Sequence, residues 1–288
     1  MEELWIKIFF TFAGDIKQMV SWSFLQGLDI YSWQVITLLI ISGFLVGIIN
    51  TVAGNGTIIS FSLFMGLGLP SNIANGTIRL GVVLQTLAAT LYFNKNHFLS
   101  IKKGLTLAIP TTIGSIIGAQ IAVSIDKEIF KIIMGIVMLF MLFLLFYYPQ
   151  KWLKGNSTSC SKKTTGLQIF IFLLIGIYGG FIHIGVGLFI LAALVLISGY
   201  NLVEANALKV FLVLIYSPFT LGVFMLSGQI HYGIGLIAAI GNIFGALVGS
   251  RLAISWGAGF IRWFVAFVIL ISVADMFGVF HYFIKMIC

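Results

Sequence analysis

Charge is what this 288-residue chain most lacks: 8% of it is Asp, Glu, Lys or Arg, against about 25% in a soluble globular domain. Cysteine is nearly missing. Cys160 sits in a polar stretch and Cys288 at the last position, so neither a disulfide framework nor a thiolate metal site can be built. No HExxH, no GxSxG and no paired acids within an apolar stretch occur, which removes the usual apparatus of an intramembrane hydrolase. Lys and Arg outnumber Asp and Glu by 16 to 8, but no basic run is interleaved with aromatics, so the excess does not read as a nucleic-acid surface. The start, Met1-Glu2-Glu3, lacks the positive opening of a secretory signal and is expected to belong to the mature protein. What fills the chain instead is apolar: 60% of residues, with a mean hydropathy of +1.13. Too little polar surface is left to cover a water-soluble globule, and the chain reads as a polytopic membrane protein.

A membrane span needs about 20 apolar residues. Such stretches occur at residues 75–94, 104–124, 129–148, 206–226, 233–253 and 259–282. Two more, 31–69 and 167–198, are too long for one straight helix. They would extend about 58 Å and about 48 Å at a rise of 1.5 Å per residue, against a hydrocarbon core of about 30 Å. Glycine interrupts both: Gly54-Asn55-Gly56 in the first, Gly179-Gly180 and Gly185-Val186-Gly187 in the second. Each is expected to be one broken helix that crosses once.

The two halves match by position. Gly43, Gly47 and Gly54 find Gly176, Gly180 and Gly187 at an offset of 133; Gly104, Gly114 and Gly118 find Gly235, Gly245 and Gly249 at 131. Ala74-Asn75 and Ala205-Asn206 lie between these sets. The pattern predicts an all-α polytopic membrane protein of about eight transmembrane helices in two homologous four-helix repeats. The first helix of each repeat is broken at glycines, a plan common among transporters. Expected boundaries are an N-terminal interfacial segment at 1–30, repeat 1 at 31–148, a cytoplasmic linker at 149–166 and repeat 2 at 167–288. Trp5, Phe9, Phe10, Phe12 and Trp22 around Lys7 and Lys17 give the first segment its interfacial character. With single crossings, ten loop lysines share one side against Lys127, Lys131 and Arg262 on the other, which places both termini in the cytoplasm. Re-entrant hairpins would instead invert the repeats and reduce the division to eight against five.

Backbone without helical hydrogen bonds survives at membrane depth only where protein or a watery cavity satisfies it, so residues 50–57 mark a cavity. Gly54 and Gly56 permit a turn and the close approach of a ligand. Thr57 is placed to cap the half-helix that follows, whose free N–H groups and positive dipole end favour an anion. Gly187 precedes the matching half-helix, and His183 stands near the equivalent of Asn50. Packing alone would explain the glycines but not Asn50, Asn55 and Thr57 beside them.

Arg79 and Lys209 are the strongest residue-level signal. Each shares a helix face with the asparagine of its Ala-Asn pair, Asn75 or Asn206. Hydroxyl residues follow 7 and 11 positions later in both helices: Thr86 and Thr90, then Tyr216 and Thr220. A cation within a span costs about 2.5–3.5 kcal/mol and faces a cavity or a partner. With no matching intramembrane carboxylate, an anion is the expected partner. Snorkelling to the near helix end is the alternative, as is a pair with Glu204 for Lys209. His183 and Asp275 are the candidate proton carriers at membrane depth; a satisfied core histidine and a hydrogen-bonded buried aspartate are the plainer readings. Gly114/Gly118 and Gly245/Gly249 read as helix-packing contacts, with Thr111 and Asn242 one turn ahead.

In their order and duplication, GFLVGIINTVAGNGTI with ANGTIR, then GIYGGFIHIGVG with ANALK, resemble the motifs of the sulfite exporter TauE/SafE family of membrane permeases. The resemblance covers roughly residues 38–282. It implies export or exchange of small sulfur-containing or organic anions such as sulfite, sulfoacetate or other sulfonates. Two features depart from the family pattern: the glycine run is thinned to Gly54-Asn55-Gly56, and Ala207-Leu208 stands where Gly-Thr is usual. The expectation is an alternating-access transporter of the cytoplasmic membrane with a central anion site. Arg79 and Lys209 would neutralise the ligand. Asn50, Thr51, Asn55, Thr57, Asn75, His183 and Asn206, with backbone at Gly54, Gly56 and Gly187, would bind its oxygens. A passive anion channel is the alternative, separable by saturable, counter-anion-stimulated flux. The partners implied are a small anion and membrane lipid, with no cofactor and no metal.

Overall fold

The computed structural model describes residues 29–125, 165–261, 263–264 and 267. All regular structure among them is helical. In chain order the elements are α1 (Trp33–Val52), α2 (Thr57–Gly66), α3 (Ser71–Lys95), α4 (Ile101–Ser124), α5 (Gly166–Phe181) and α6 (Val186–Ala192). A π-helical turn (Ala193–Ile197), α7 (Leu202–Leu226) and α8 (Tyr232–Ser255) follow. Five of these, α1, α3, α4 from Gly104, α7 and α8, are long and apolar enough to cross a membrane. The spans expected from 75, 104, 206 and 233 onward are therefore present. The stretch 129–148, most of 259–282, both termini, the linker up to 164 and Asp275 lie outside the described residues.

Side chains mark several helix starts. Asn201 Oδ1 accepts the Glu204 N–H at 2.9 Å to open α7, and His231 Nδ1 accepts the Ile234 N–H at 3.3 Å to open α8. Gln168 Oε1 reaches back to the Thr165 N–H at 3.1 Å ahead of α5. The outer faces are apolar. Leu105, Ile109, Ile113, Ile117 and Ile121 recur every fourth residue along α4 and are 42–63% exposed; Leu236, Ile240 and Phe244 continue the motif on α8. Stripes of this size belong against lipid or a partner rather than water.

Inward, the same helices carry glycine, and the seams are backbone to backbone. Gly43 and Gly47 of α1 pack on Ala238, Asn242 and Ala246 of α8, while Gly114 and Gly118 of α4 pack on Leu173, Ile177 and Phe181 of α5. Both seams advance in step, so α1 runs parallel to α8, and α4 to α5. Tyr31, just ahead of α1, lies against Gly233, and Thr77 Oγ1 of α3 accepts the His231 N–H at 2.9 Å. Hence α1, α3 and α8 all start at one end of the bundle. α7 is antiparallel to α3: Gly76 packs on Phe224 and Gln229 near the end of α7, whereas Thr86 and Lys209 share a cavity.

These directions correct the single crossings expected for 31–69 and 167–198. α1 and α3 start at the same end, so α2 must bring the chain back. Gly56 accordingly lies against the Val46 carbonyl and the Asn50 N–H, alongside the helix it has just left. The second break behaves alike, with Gly179 packed on the Val186 side chain. Length misled the single-crossing reading. α1 alone, at 20 residues, extends about 30 Å, so the apolar residues after the break are a return leg rather than a continuation. Helices matched by the sequence offsets, α1 with α5, α3 with α7 and α4 with α8, run in opposite directions.

Candidate functional site

The two folded-back segments meet tip to tip. Gly54 has φ +82°, and a Cβ there would stand 2.6 Å from the Gly187 Cα. Only glycine tolerates both the dihedral and the approach. The turn after α1 is closed by Asn50, whose Oδ1 accepts the Gly56 N–H at 2.8 Å. That arrangement displaces Thr57 from the capping role expected of it: Gly56 holds the N-cap position, and the buried Thr57 hydroxyl has no partner among the described residues. Asn55 is buried within the same turn. In the second tip, Tyr178 Oη donates to the Ile184 carbonyl at 2.5 Å.

Breaking a helix orphans its last carbonyls. At the end of α1 these include Asn50 O and Thr51 O, and Lys209 Nζ of α7 donates to them at 3.2 and 2.9 Å, and to Asn206 Oδ1 at 2.6 Å. At the end of α5 they include Gly179 O and Gly180 O, and the Arg79 guanidinium of α3 donates to them at 3.3 and 2.5 Å. Asn75 Nδ2 adds a bond to Phe181 O at 3.0 Å. Each cation thus sits at the negative dipole end of the broken helix from the other half of the chain. Arg79 is 0% exposed and Lys209 2%, so neither snorkels outward. The Arg79 guanidinium carbon also lies 4.4 Å from the centroid of the Phe224 ring. The partners expected to be an anion, or Glu204 for Lys209, are in this state backbone carbonyls and an amide oxygen.

Between the tips lies a cavity of about 20 Å³, room for about one water molecule. Its polar lining is Asn50, Thr51, Gln85, Thr86, His183 and Lys209, with Gly54 and Gly187 at the crossing. Among the described residues the lining holds one ammonium and no carboxylate. Asn50 Nδ2 and Gln85 Oε1 are buried and without partners among the described residues, as is Asn206 Nδ2 behind Lys209. His183 Nδ1 stands 3.2 Å from Tyr216 Oη, which anchors the ring to α7.

Of the residues singled out in the sequence, Asn50, Thr51, Gly54, His183, Gly187 and Lys209 come together at this cavity, and Asn206 touches Lys209. Gly56, Asn55 and Thr57 form the adjoining turn. Arg79 and Asn75 do not line the cavity; they hold the end of α5. Thr111 and Asn242 are buried but do not line it either. Gln85 was missed. Its signal was an amide in mid-span, where lipid gives it nothing to bond.

A family model described as sulfite exporter TauE/SafE matches residues 39–276. The chain is 28% identical over 252 residues to a probable membrane transporter protein of Haemophilus influenzae, spanning 86% of this chain and 98% of that one. It is 26% identical over 232 residues to the probable membrane transporter protein ORF9 of a Sinorhizobium species, spanning 80% and 88%. Against the probable membrane transporter protein YfcA of Escherichia coli K12 the figures are 26% over 220 residues, 76% and 80%. No solved structure matches the chain.

Proposed function

The chain belongs to the sulfite exporter TauE/SafE family, and we propose that this multi-pass membrane transporter moves a small sulfur-containing or organic anion, sulfite or a sulfonate, across the cytoplasmic membrane. The observation that carries the reading is the chemistry of the central cavity. A buried ammonium, an amide donor on Asn50 without a partner and no lining carboxylate, all among the described residues, favour negative charge over positive. Lys209 supplies the charge; Asn50 Nδ2 and the N–H groups at the start of α6 supply hydrogen bonds in the closed cavity, with Asn206 and the start of α2 within reach once the tips part.

The cavity holds about one water, so a sulfonate enters only when the two tips separate. Alternating access follows if two inverted four-span repeats, at 31–148 and 167–288, rock about the Gly54–Gly187 crossing. The opposed directions of matched helices support that reading. They also revise the orientation. Lys95, Lys102, Lys103 and Arg251 all lie at the end where α4, α5 and α7 begin, and the opposite end has no Lys or Arg among the described residues. The positive-inside rule therefore makes the first end cytoplasmic, together with the 149–166 linker that leads into α5. α1 itself then starts from the far side, contrary to the expectation built on single crossings.

The test is the thermal stability of the detergent-purified protein against sulfite, sulfoacetate, taurine, sulfate and small carboxylates. A ligand bound only by the folded state stabilises it by about 2.7 kcal/mol at 100 times its dissociation constant. Asn50→Asp keeps an oxygen for the Gly56 N–H but places a negative charge in the cavity, and should abolish the shift. A shift that survives Asn50→Asp would remove the site assignment, and no shift with any anion would remove the cargo class.

A further inference from the structure

The oxygens around Lys209 resemble a cation site more than an ordinary lysine pocket. Two are backbone carbonyls at the C-terminal end of a broken helix, and the third is the side-chain oxygen of Asn206, one turn earlier on the lysine's own helix. They stand 3.2, 2.9 and 2.6 Å from one point, and that point is the ammonium nitrogen. In discontinuous membrane helices, carbonyls of this kind coordinate the small cations that drive transport.

We propose that Asn50 O, Thr51 O and Asn206 Oδ1 form a monovalent-cation site that the chain fills with its own Lys209 ammonium. The tethered charge stands where a diffusible ion would otherwise be needed to neutralise the end of α1. All three N–H bonds of the ammonium are directed at these oxygens, so its contribution to the neighbouring cavity is charge rather than a free donor. The other half of the chain repeats the principle with different chemistry. At the end of α5 the acceptors Gly179 O and Gly180 O meet the two-pronged guanidinium of Arg79, and Asn75 turns its amide nitrogen toward Phe181 O instead of offering an oxygen. A fork needs two acceptors side by side; a point charge needs a cage, and only the Lys209 position has one. The oxygen distances suit an ammonium-sized ion better than one as small as sodium. A site filled from within in this way is closed to a diffusible sodium ion. The inference rests on the cage alone and survives a failed anion screen.

Lys209→Ala should open the site. The variant is melted in choline chloride, with ammonium, methylammonium, potassium or sodium substituted at constant ionic strength. Ammonium-sized ions are expected to raise its melting temperature saturably, sodium less, and choline not at all. The parent chain should not respond, and Lys209→Ala/Asn206→Leu should lose the response. No ion-specific rise in Lys209→Ala, or a rise undiminished by Asn206→Leu, overturns the proposal. Should Lys209→Ala yield no folded protein, single variants in the lysine-bearing chain decide. Asn206→Asp retains an oxygen toward the ammonium and should hold or raise the melting temperature, whereas Asn206→Leu should lower it. Equal losses in both would overturn the proposal.

Discussion

Substituting Gly54 by alanine tests the tip-to-tip crossing more sharply than any other single change. Two separable costs act there. At φ +82° an alanine carries left-handed strain of about 1–2 kcal/mol. Its Cβ would also stand 2.6 Å from the Gly187 Cα, and backbone cannot swing aside as a side chain can, which adds an overpacking cost of about 1–3 kcal/mol. The sum is about 2–5 kcal/mol. At about 2–4 °C per kcal/mol for proteins of 150–250 residues, the melting temperature should drop by about 4–20 °C. Two controls isolate the parts. Gly68→Ala carries the strain alone, since Gly68 has φ +91° with nothing within 4 Å of its Cβ position. Gly187→Ala carries the overlap alone, its Cβ standing 2.5 Å from the Gly54 Cα without a positive φ. Melting curves of the three purified variants in one detergent make the comparison. The expected order of loss puts Gly54→Ala first, with Gly68→Ala and Gly187→Ala each below it. A Gly54→Ala curve indistinguishable from that of Gly68→Ala would refute the crossing.

Arg79→Gln strips two buried carbonyls of charged donors worth about 1.5–3 kcal/mol each, so the loss of stability should be large, about 3–6 kcal/mol. Arg79→Lys keeps a positive charge and should lose less in the same melting assay. A membrane-impermeant maleimide applied to intact cells should leave Cys160 of the linker unmodified in a Cys288→Ser background and should modify it once the cells are permeabilised. Labelling in intact cells would reverse the orientation drawn from Lys95, Lys102, Lys103 and Arg251.

Much of this arrangement is legible in the amino-acid sequence. The offset of 133 paired Gly54 with Gly187, and these two glycines touch. The shared register of Asn75/Arg79 and Asn206/Lys209 foretold that the cations do equivalent work in the two halves. What failed to show was direction and partnership. Hydropathy counts apolar residues but does not say whether the chain continues or returns after Gly54, and that choice depends on the close packing of Gly56 along α1. The one side-chain oxygen that bonds either cation among the described residues, Asn206 Oδ1, is neutral. The remaining groups that bind Arg79 and Lys209 are carbonyls of Gly179, Gly180, Asn50 and Thr51, which become acceptors only once the helix breaks. Gln85 went unremarked because its register differs from the Asn75–Arg79 stripe, although its amide was out of place in mid-span.

The exchange of caps between halves also bears on how the protein is made. Thr51 precedes Lys209 by 158 residues and Arg79 precedes Gly180 by 101. A ribosome adds about 5–20 residues per second, so the end of α1 waits about 8–30 s in the bilayer before its ammonium is synthesised. Arg79 waits about 5–20 s for its carbonyls at the same rate. Through that interval the first half carries an unneutralised helix end and an unbonded guanidinium in lipid, where each is costly. A first half produced without its sequel keeps both groups uncapped and should therefore be less stable in the bilayer than the same residues within the whole chain.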